Sequence, residues 1–384
     1  MADSNSGSGL RSRSTDSSSD AISSSSNASA DAGASGPSRS KKRPRPSSAP
    51  STSAGGGGGK WSKATTGHRK GARTVPMLDA KRMVRLVLEY DGTAFAGSQL
   101  QPAPQRTVQG EVEAALERCT GEEAPRLLLA SRTDRGVHAR GQVAAVRTAC
   151  ALEGGELRRT LNAYLPPDLV IREASTVHDR FDPREDARSK HYRYTCHVGP
   201  IRPVIGRQAM WYIPPPRVKP GKGGDGGNEL AANGATADGT AVSMIAPRID
   251  VEAMNEAAKS LQGGPKDFTS LSNKTKEGAK DPHCHLNKVT VTQHEADADI
   301  LEFDFFGDRF LYNMVRIIVG TLVEVGTGRR TVEDFRAAVD ARDRTRGGPA
   351  APAQGLTLME IHYPEEVEGP ADCERTLEAA ADSS

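Results

Sequence analysis

Cysteine is too sparse and too scattered to organise this chain. Its five residues, Cys119, Cys150, Cys196, Cys284 and Cys373, form no CxxC pair, which argues for reduced thiols and against a disulfide framework. Long apolar runs are missing as well, and no stretch approaches the ~20 residues of a membrane span. Neither sign of charge dominates, since 51 Lys and Arg face 49 Asp and Glu. No Walker phosphate loop is present, and Gly55–Gly59 reads as linker. Aromatic residues are absent from Met1 to Gly59, a Ser-, Ala- and Gly-rich segment that lacks the means to bury a core. A disordered, basic extension is therefore expected over residues 1–80.

What remains is substantial. A chain of 384 residues suits about two domains. Its balanced charge hides an asymmetry: Lys60 to Arg85 is strongly basic, Glu365 to Asp382 is an acidic tail, and the middle is dense in arginine. Such clusters suit phosphate contacts, and they also serve as solvated faces.

Folded sequence is expected from Met83. Met83 to Tyr90 reads as a strand, and Asp91-Gly92 as a turn. Thr107 caps a helix with Val108, Val112, Ala115, Leu116 and Cys119 on one face. Two β-like runs follow, Arg126 to Ala130 and Gln142 to Val146, then a helix over Leu152 to Tyr164 and a strand over Leu169 to Ala174. A similar order repeats: a strand at Lys190 to Val198, a helix at Val251 to Leu261, and a strand pair at Leu286 to Gln293 and Ile300 to Phe306 around the acidic turn Glu295 to Asp299. An apolar helix at Phe310 to Val325 stops at Gly326 and Gly328. Another helix begins at Thr331, and Leu356 to Tyr363 closes as a strand. The Gly-, Pro- and Ala-rich stretch 214–246 reads as an insertion. The expected fold is α+β: two sandwich halves, 81–180 and 181–364, with a cleft between them.

Three places could carry chemistry. The first is Ser131-Arg132-Thr133-Asp134-Arg135-Gly136-Val137-His138-Ala139, which sets one carboxylate between two cations in a glycine-bearing loop. Nearby positive charge should keep Asp134 ionised, as a nucleophile or base must be. The same residues also suit a plain aspartate turn. The second is Arg316, in an apolar helix that leaves it little polar face. A guanidinium there is either buried and paired or set on a narrow exposed stripe, and Asp134 is its natural partner. The third is Lys190 to Tyr194, where alternation sends Tyr192 and Tyr194 to one face and His191 and Arg193 to the other. The tyrosines could stack on extruded bases or simply fill the core. His283-Cys284-His285 holds metal-ligand residue types, but adjacent residues rarely point at one ion.

These motifs occur together and in order in one known family. Tyr90 to Gln99, Thr107-Val108-Gln109-Gly110, Arg132 to Ala139, Phe181-Asp182, Ala187 to Tyr194, Asn313-Met314-Val315-Arg316 and Gly355-Leu356-Thr357-Leu358 resemble the tRNA pseudouridine synthase A (TruA) family over Met83 to Pro364. The resemblance implies two ferredoxin-like (RRM-like) halves forming a mixed sheet with a central RNA-binding cleft. It implies isomerisation of uridine to pseudouridine in tRNA, in the anticodon stem-loop, with Asp134 as nucleophile. Tyr192 would stack on the target base and take its C5 proton, and Arg316 would pair with Asp134. Arg132, His138, Arg140 and Gln142 would contact the substrate. No cofactor and no metal are implied, the partner is tRNA, and the assembly is a homodimer.

The chain departs from the family pattern at Ser98, often Trp there, at Ser131, often Gly, and at Arg135, often small or Lys. These departures bear on substrate choice. A non-catalytic RNA-binding protein on the same fold is the competing reading, and a hydrolase with an Asp nucleophile is a third that no second acid supports. A pure binder has no use for a carboxylate facing a polyanion, which favours the enzyme. Lys41 to Pro46 suits a nuclear protein, whereas the Ser- and Arg-rich start suits an organelle protein despite Asp3, Asp16, Asp20 and Asp31.

Overall fold

The computed structural model describes residues 75–215, 249–274 and 281–365, which lie within one compact unit, Arg69–Ser384. Residues 1–74, nearly all of the Gly-rich insertion, and the tail after Glu365 lie outside the described residues.

The first half runs β1 (Met77–Tyr90), α1 (Val108–Thr120), β2 (Leu127–Leu129), β3 (His138–Cys150), α2 (Gly154–Asn162) and β4 (Leu169–Thr176). Its strands lie in the order β4-β1-β3, with β2 against the far end of β3. The second half runs β5 (Ser189–His197), β6 (Trp211–Tyr212), α3 (Val251–Lys259), β7 (Lys266–Asp267), β8 (His283–Cys284), β9 (Leu286–His294), β10 (Asp297–Gly307), α4 (Met314–Gly326), α5 (Val332–Asp340) and β11 (Leu356–His362). Its order is β11-β5-β10-β9, while β7 and β8 form a separate ribbon. Both halves thus repeat the βαββαβ order of a ferredoxin-like sandwich. One mixed sheet runs through both, joined where β11 lies parallel to β3 over Thr357 opposite His138 and Leu358 opposite Ala139.

Periodicity explains most of these elements. On α1 the predicted apolar face is buried, and the Thr107 side chain accepts from the Gly110 N–H as an N-cap. Thr331 and Asp334 close a capping box at the head of α5. On β5, Tyr192, Tyr194 and Cys196 point into the core, and His191, Arg193 and Thr195 point to the opposite face. There Asp304 accepts from His191 Nε2 at 2.6 Å and from Arg193 Nε at 2.9 Å. Phe303, Phe305 and Tyr194 are fully buried, each such side chain contributing about 1.5–3 kcal/mol of transfer free energy.

Several boundaries differ from expectation: β3 runs four residues further at each end than Gln142 to Val146, α2 is shorter than Leu152 to Tyr164, and three others have a clear cause. The first strand begins at Met77 rather than Met83, so residues 77–80 belong to the sheet and not to a disordered extension. Their side chains are exposed, Met77 and Leu78 included; backbone pairing with the long β3, Met77 opposite Cys150, extends the strand without an alternating apolar pattern. The helix expected from Phe310 begins at Met314, because Asn313 takes a left-handed conformation (φ 59°). Phe310 is apolar for another reason: its ring meets Tyr192 edge-on, with centroids 5.0 Å apart. Between β9 and β10 the strands run on to His294 and from Asp297, which shortens the expected acidic turn.

The α4 helix is buried along nearly its whole length. Segment 349–352 lies across it so closely that a Cβ at Gly320 would sit 1.9 Å from the Pro349 carbonyl oxygen. This strap is bonded twice to one residue: the Ala351 N–H donates to the Arg316 carbonyl at 2.9 Å, and Arg316 Nε donates to the Ala351 carbonyl at 2.7 Å. Tyr194 adds a third tie, its hydroxyl donating to the Pro352 carbonyl at 2.7 Å.

Candidate active site

The loop carrying Asp134 leaves β2 at Ala130 and enters β3 at His138. It turns tightly, with the Val137 N–H donating to the Asp134 carbonyl at 3.1 Å and Gly136 at φ +79°, a conformation that favours glycine. Three neighbours brace it. Ser98 is fully buried and bonds Thr133 twice: its Oγ accepts from the Thr133 N–H at 2.9 Å, and its own N–H donates to the Thr133 carbonyl at 3.1 Å. The Tyr90 hydroxyl bonds Thr133 Oγ1 at 2.8 Å. Gln142 clamps the Ser131 backbone, Oε1 accepting from its N–H at 3.1 Å and Nε2 donating to its carbonyl at 2.7 Å. From below, Gly92 approaches so closely that a Cβ there would lie 2.0 Å from the Val137 carbonyl oxygen. A buried polar network with its bonds satisfied rigidifies what it holds.

Asp134 is partly buried. Burial pushes its carboxyl above the ordinary carboxylate range, and the charges of Arg316 and Arg132 only partly offset this. The net direction is opposite to the one the flanking cations alone would give. Desolvation outweighs the arginines here because none of them closes an ion pair on Asp134 among the described residues. Arg316 instead directs Nε to Ala351 and NH1 to the Asn313 Oδ1 at 2.8 Å. It is half-buried, and it acts on Asp134 through its field.

Tyr192 is buried, and its hydroxyl bonds the Ser131 Oγ at 2.7 Å. Desolvation raises its phenol well above the usual tyrosine range, and the charge of Asp134 adds to the rise. Tyr90 is likewise pushed up to about 12, mainly by burial. The phenol of Tyr192 is therefore held protonated beside the carboxylate. Residues from the motif loop, β5 and α4 converge at one end of the sheet.

The residues expected to touch substrate divide into two groups. Arg132 is exposed and close enough to act on Asp134. Arg140 is exposed too, but it lines a separate cleft with Arg193 and Thr195, which point away from the Tyr192 side of β5. His138 is buried with both ring nitrogens engaged: Nδ1 accepts from the Gly92 N–H at 3.1 Å, which leaves Nε2–H to donate to the Gln208 carbonyl at 2.9 Å. Gln142 is fully buried under Ser131. His138 and Gln142 thus hold protein backbone in this structure. Sequence reasoning missed Tyr90, Ser98 and Ser131 as supports of the loop. Ser98 and Ser131 carried a signal all the same, since both depart from the family pattern and both place a hydroxyl in the network. At the β7–β8 ribbon, His283 faces out to Asp281 while Cys284 is buried, as alternation dictates.

Two stretches of the chain, residues 86–184 and 257–364, match a family described as tRNA pseudouridine synthase. The chain is similar to a tRNA pseudouridine synthase A of Geobacillus sp. (strain WCH70), 36% identical over 282 residues that span 73% of this chain and 98% of the relative. It is similar to those of Geobacter sulfurreducens, at 37% identity, and Brevibacillus brevis, at 38%, each over 282 residues, 73% of this chain and the whole length of the relative. With the βαββαβ repeat and a braced Asp134 loop already in place, these likenesses lead to one conclusion: the chain belongs to the tRNA pseudouridine synthase family.

Proposed function

We propose that the protein isomerises uridine to pseudouridine in the anticodon stem-loop of tRNA, with Asp134 as its nucleophile. The observation that carries this reading is the meeting of Asp134, Tyr192 and Arg316, from three distant parts of the chain, around a loop braced by Ser98, Tyr90 and Gln142. In the reaction the N1–C1′ bond breaks, the uracil turns, and a C5–C1′ bond forms. The proton lost from C5 is matched by one gained at N1, so no atom is added and no cofactor is called for. The target base has to leave its stack to reach Asp134. The ionised carboxylate frees the base, Arg316 and Arg132 favour that ionised form against burial, and the Tyr192 ring forms a platform for the extruded base, squared by Phe310 behind it. Mapping pseudouridines in incubated tRNAs, by carbodiimide adduct and primer extension, tests the reading: stops in the anticodon stem-loop support it, and their absence overturns it. We also read the assembly as a homodimer sharing the tRNA, as the family resemblance implies; a monomer mass by sedimentation overturns that.

The Tyr192 hydroxyl serves Ser131 rather than the base, because a phenol held protonated is a poor proton acceptor. Tyr192→Phe is therefore expected to retain tRNA binding and lose less than about tenfold in kcat, whereas a general-base role contributes about 10²–10⁴-fold. Single-turnover kinetics on tRNA decide between them: a loss of 10² or more returns the C5 proton to Tyr192.

A further inference from the structure

Beside the Asp134 loop lies a small cleft of about 110 Å³, well below the ~300 Å³ of common small-molecule sites. Its floor is β2 and its walls include Gln99, Ser131 and three arginines: Arg126, Arg132 and Arg184. All three are exposed, and among the described residues none forms an ion pair; no Asp or Glu lines the cleft. Several arginines elsewhere in the fold are instead matched by acids. Arg106 is bidentate to Asp168, Arg193 is shared by Asp304 and Glu302, and Arg330 pairs with Glu324. Three unpaired guanidinium groups around one small space repel each other and are left without a counter-charge.

Lys190 adds to the excess. Its ammonium is mostly buried and donates to the Ala130 carbonyl at 3.2 Å, at the start of the catalytic loop. Its pKa is lowered, first by burial and next by the charge of Arg184, with Asp308 and Glu185 opposing. An anion in the cleft would relieve both the lysine and the arginines.

The geometry points to this cleft as the seat of one RNA phosphodiester, clamped by Arg126, Arg132 and Arg184 beside the target uridine. The size excludes an enclosed nucleoside and admits a phosphate. The planar forks of arginine match its oxygens. Ser131 sets the distance, because it lines the cleft and also holds the Tyr192 hydroxyl. A phosphate seated there therefore belongs to a nucleotide flanking the extruded base, and its clamping keeps the backbone in place while the base turns. The inference rests on tRNA being the substrate and adds the subsite that positions it.

The test uses the full chain with Asp134→Asn, so that binding is read without turnover, and measures tRNA affinity by filter binding over a range of salt. Arg126→Ala and Arg184→Ala should each weaken binding by about tenfold. Removing both should reduce the slope of log affinity against log salt by roughly 0.7–0.9, the value for one phosphate. Arg184→Lys should restore the slope. Arg118→Ala, an exposed arginine at the end of α1, serves as the comparison. Unchanged affinity and slope in the double variant overturn the clamp, and so does an equal loss in Arg118→Ala, which would mean diffuse attraction only. The two readings fail separately. If the Asp134-containing parent forms no pseudouridine while the arginine variants lose affinity and slope, the activity is wrong and the clamp stands. If the parent isomerises and the variants bind unchanged, the reverse holds.

Discussion

Asp134→Asn is expected to lose at least about 10⁴-fold in pseudouridine formation, the scale of deleting a nucleophile, and to melt no lower than the parent. The first half follows from chemistry, since an amide cannot take the place of the carboxylate in bond formation. The second follows from burial. Desolvation is the largest influence on Asp134 and raises its carboxyl above the ordinary range. In the unfolded chain the group titrates at about 3.9. A carboxyl whose folded pKa is raised contributes stability that is complete below the unfolded value and is lost as pH rises through the folded value. At neutral pH the ionised Asp134 therefore costs the fold something, and an uncharged isostere removes that cost. Tritium release from 5-tritiated uridine in tRNA measures the rate, and calorimetry measures the melting. The acid limb of kcat/KM should lie above the ordinary carboxylate range for the same reason. Wild-type turnover in the Asn variant would sink the nucleophile assignment, and a clear drop in melting temperature would mean that the ionised form is the better-held one.

Arg316→Ala should cost both rate and stability, by separable routes. The larger of the two cationic influences that lower the Asp134 pKa disappears, so the acid limb of kcat/KM moves to higher pH, and the loss of a preorganised charge at the site lowers the rate on the order of 10²-fold. The Ala351 carbonyl, on a residue only 2% exposed, loses its guanidinium donor. A buried group left short of a partner costs about 1–3 kcal/mol. Arg316→Lys separates the two. It keeps the charge and so returns the acid limb toward its original place, but it lacks the fork that reaches Ala351 and Asn313 together, so the melting loss persists. A variant with alanine at 316 that keeps its rate, pH profile and melting temperature would show that the arginine neither supports the strap nor tunes the carboxylate.

The parts of this fold legible in the sequence are those ruled by local periodicity. Val108 to Cys119 repeats with the helical period and folds as α1; Tyr192 and Tyr194 alternate and share the core face. Thr331 and Thr107 announce helix starts because a cap needs only a hydroxyl three residues from the N–H it satisfies. The features that stayed hidden depend on distant chain. Residues 77–80 join the sheet because β3 is long, and Phe310 is apolar because of Tyr192. Asp134 showed the difference most clearly. Counting Arg132, Arg135 and Arg316 as neighbours pointed to a carboxylate favoured in its ionised form, because sequence reports charges in order and says nothing of how much water surrounds them. Ser98 and Ser131 read as losses of family residues, yet in the fold they supply hydrogen bonds that hold the loop and the tyrosine.

The seam between the halves has a consequence for how the protein comes into being. β11 is the last strand of the described fold and the only one that lies between β3, which follows the Asp134 loop, and β5, which carries Tyr192. During synthesis the two flanking strands emerge long before the strand that separates and joins them, so until residues 356–362 leave the ribosome the spacing of the nucleophile and its platform rests on side-chain ties such as Ser131 to Tyr192 alone. Contacts of such long sequence separation form late and slowly. A chain that ended before residue 356 would carry Asp134, Tyr192 and Arg316 but lack the strand that joins the two halves of the sheet, and it is expected to form little pseudouridine.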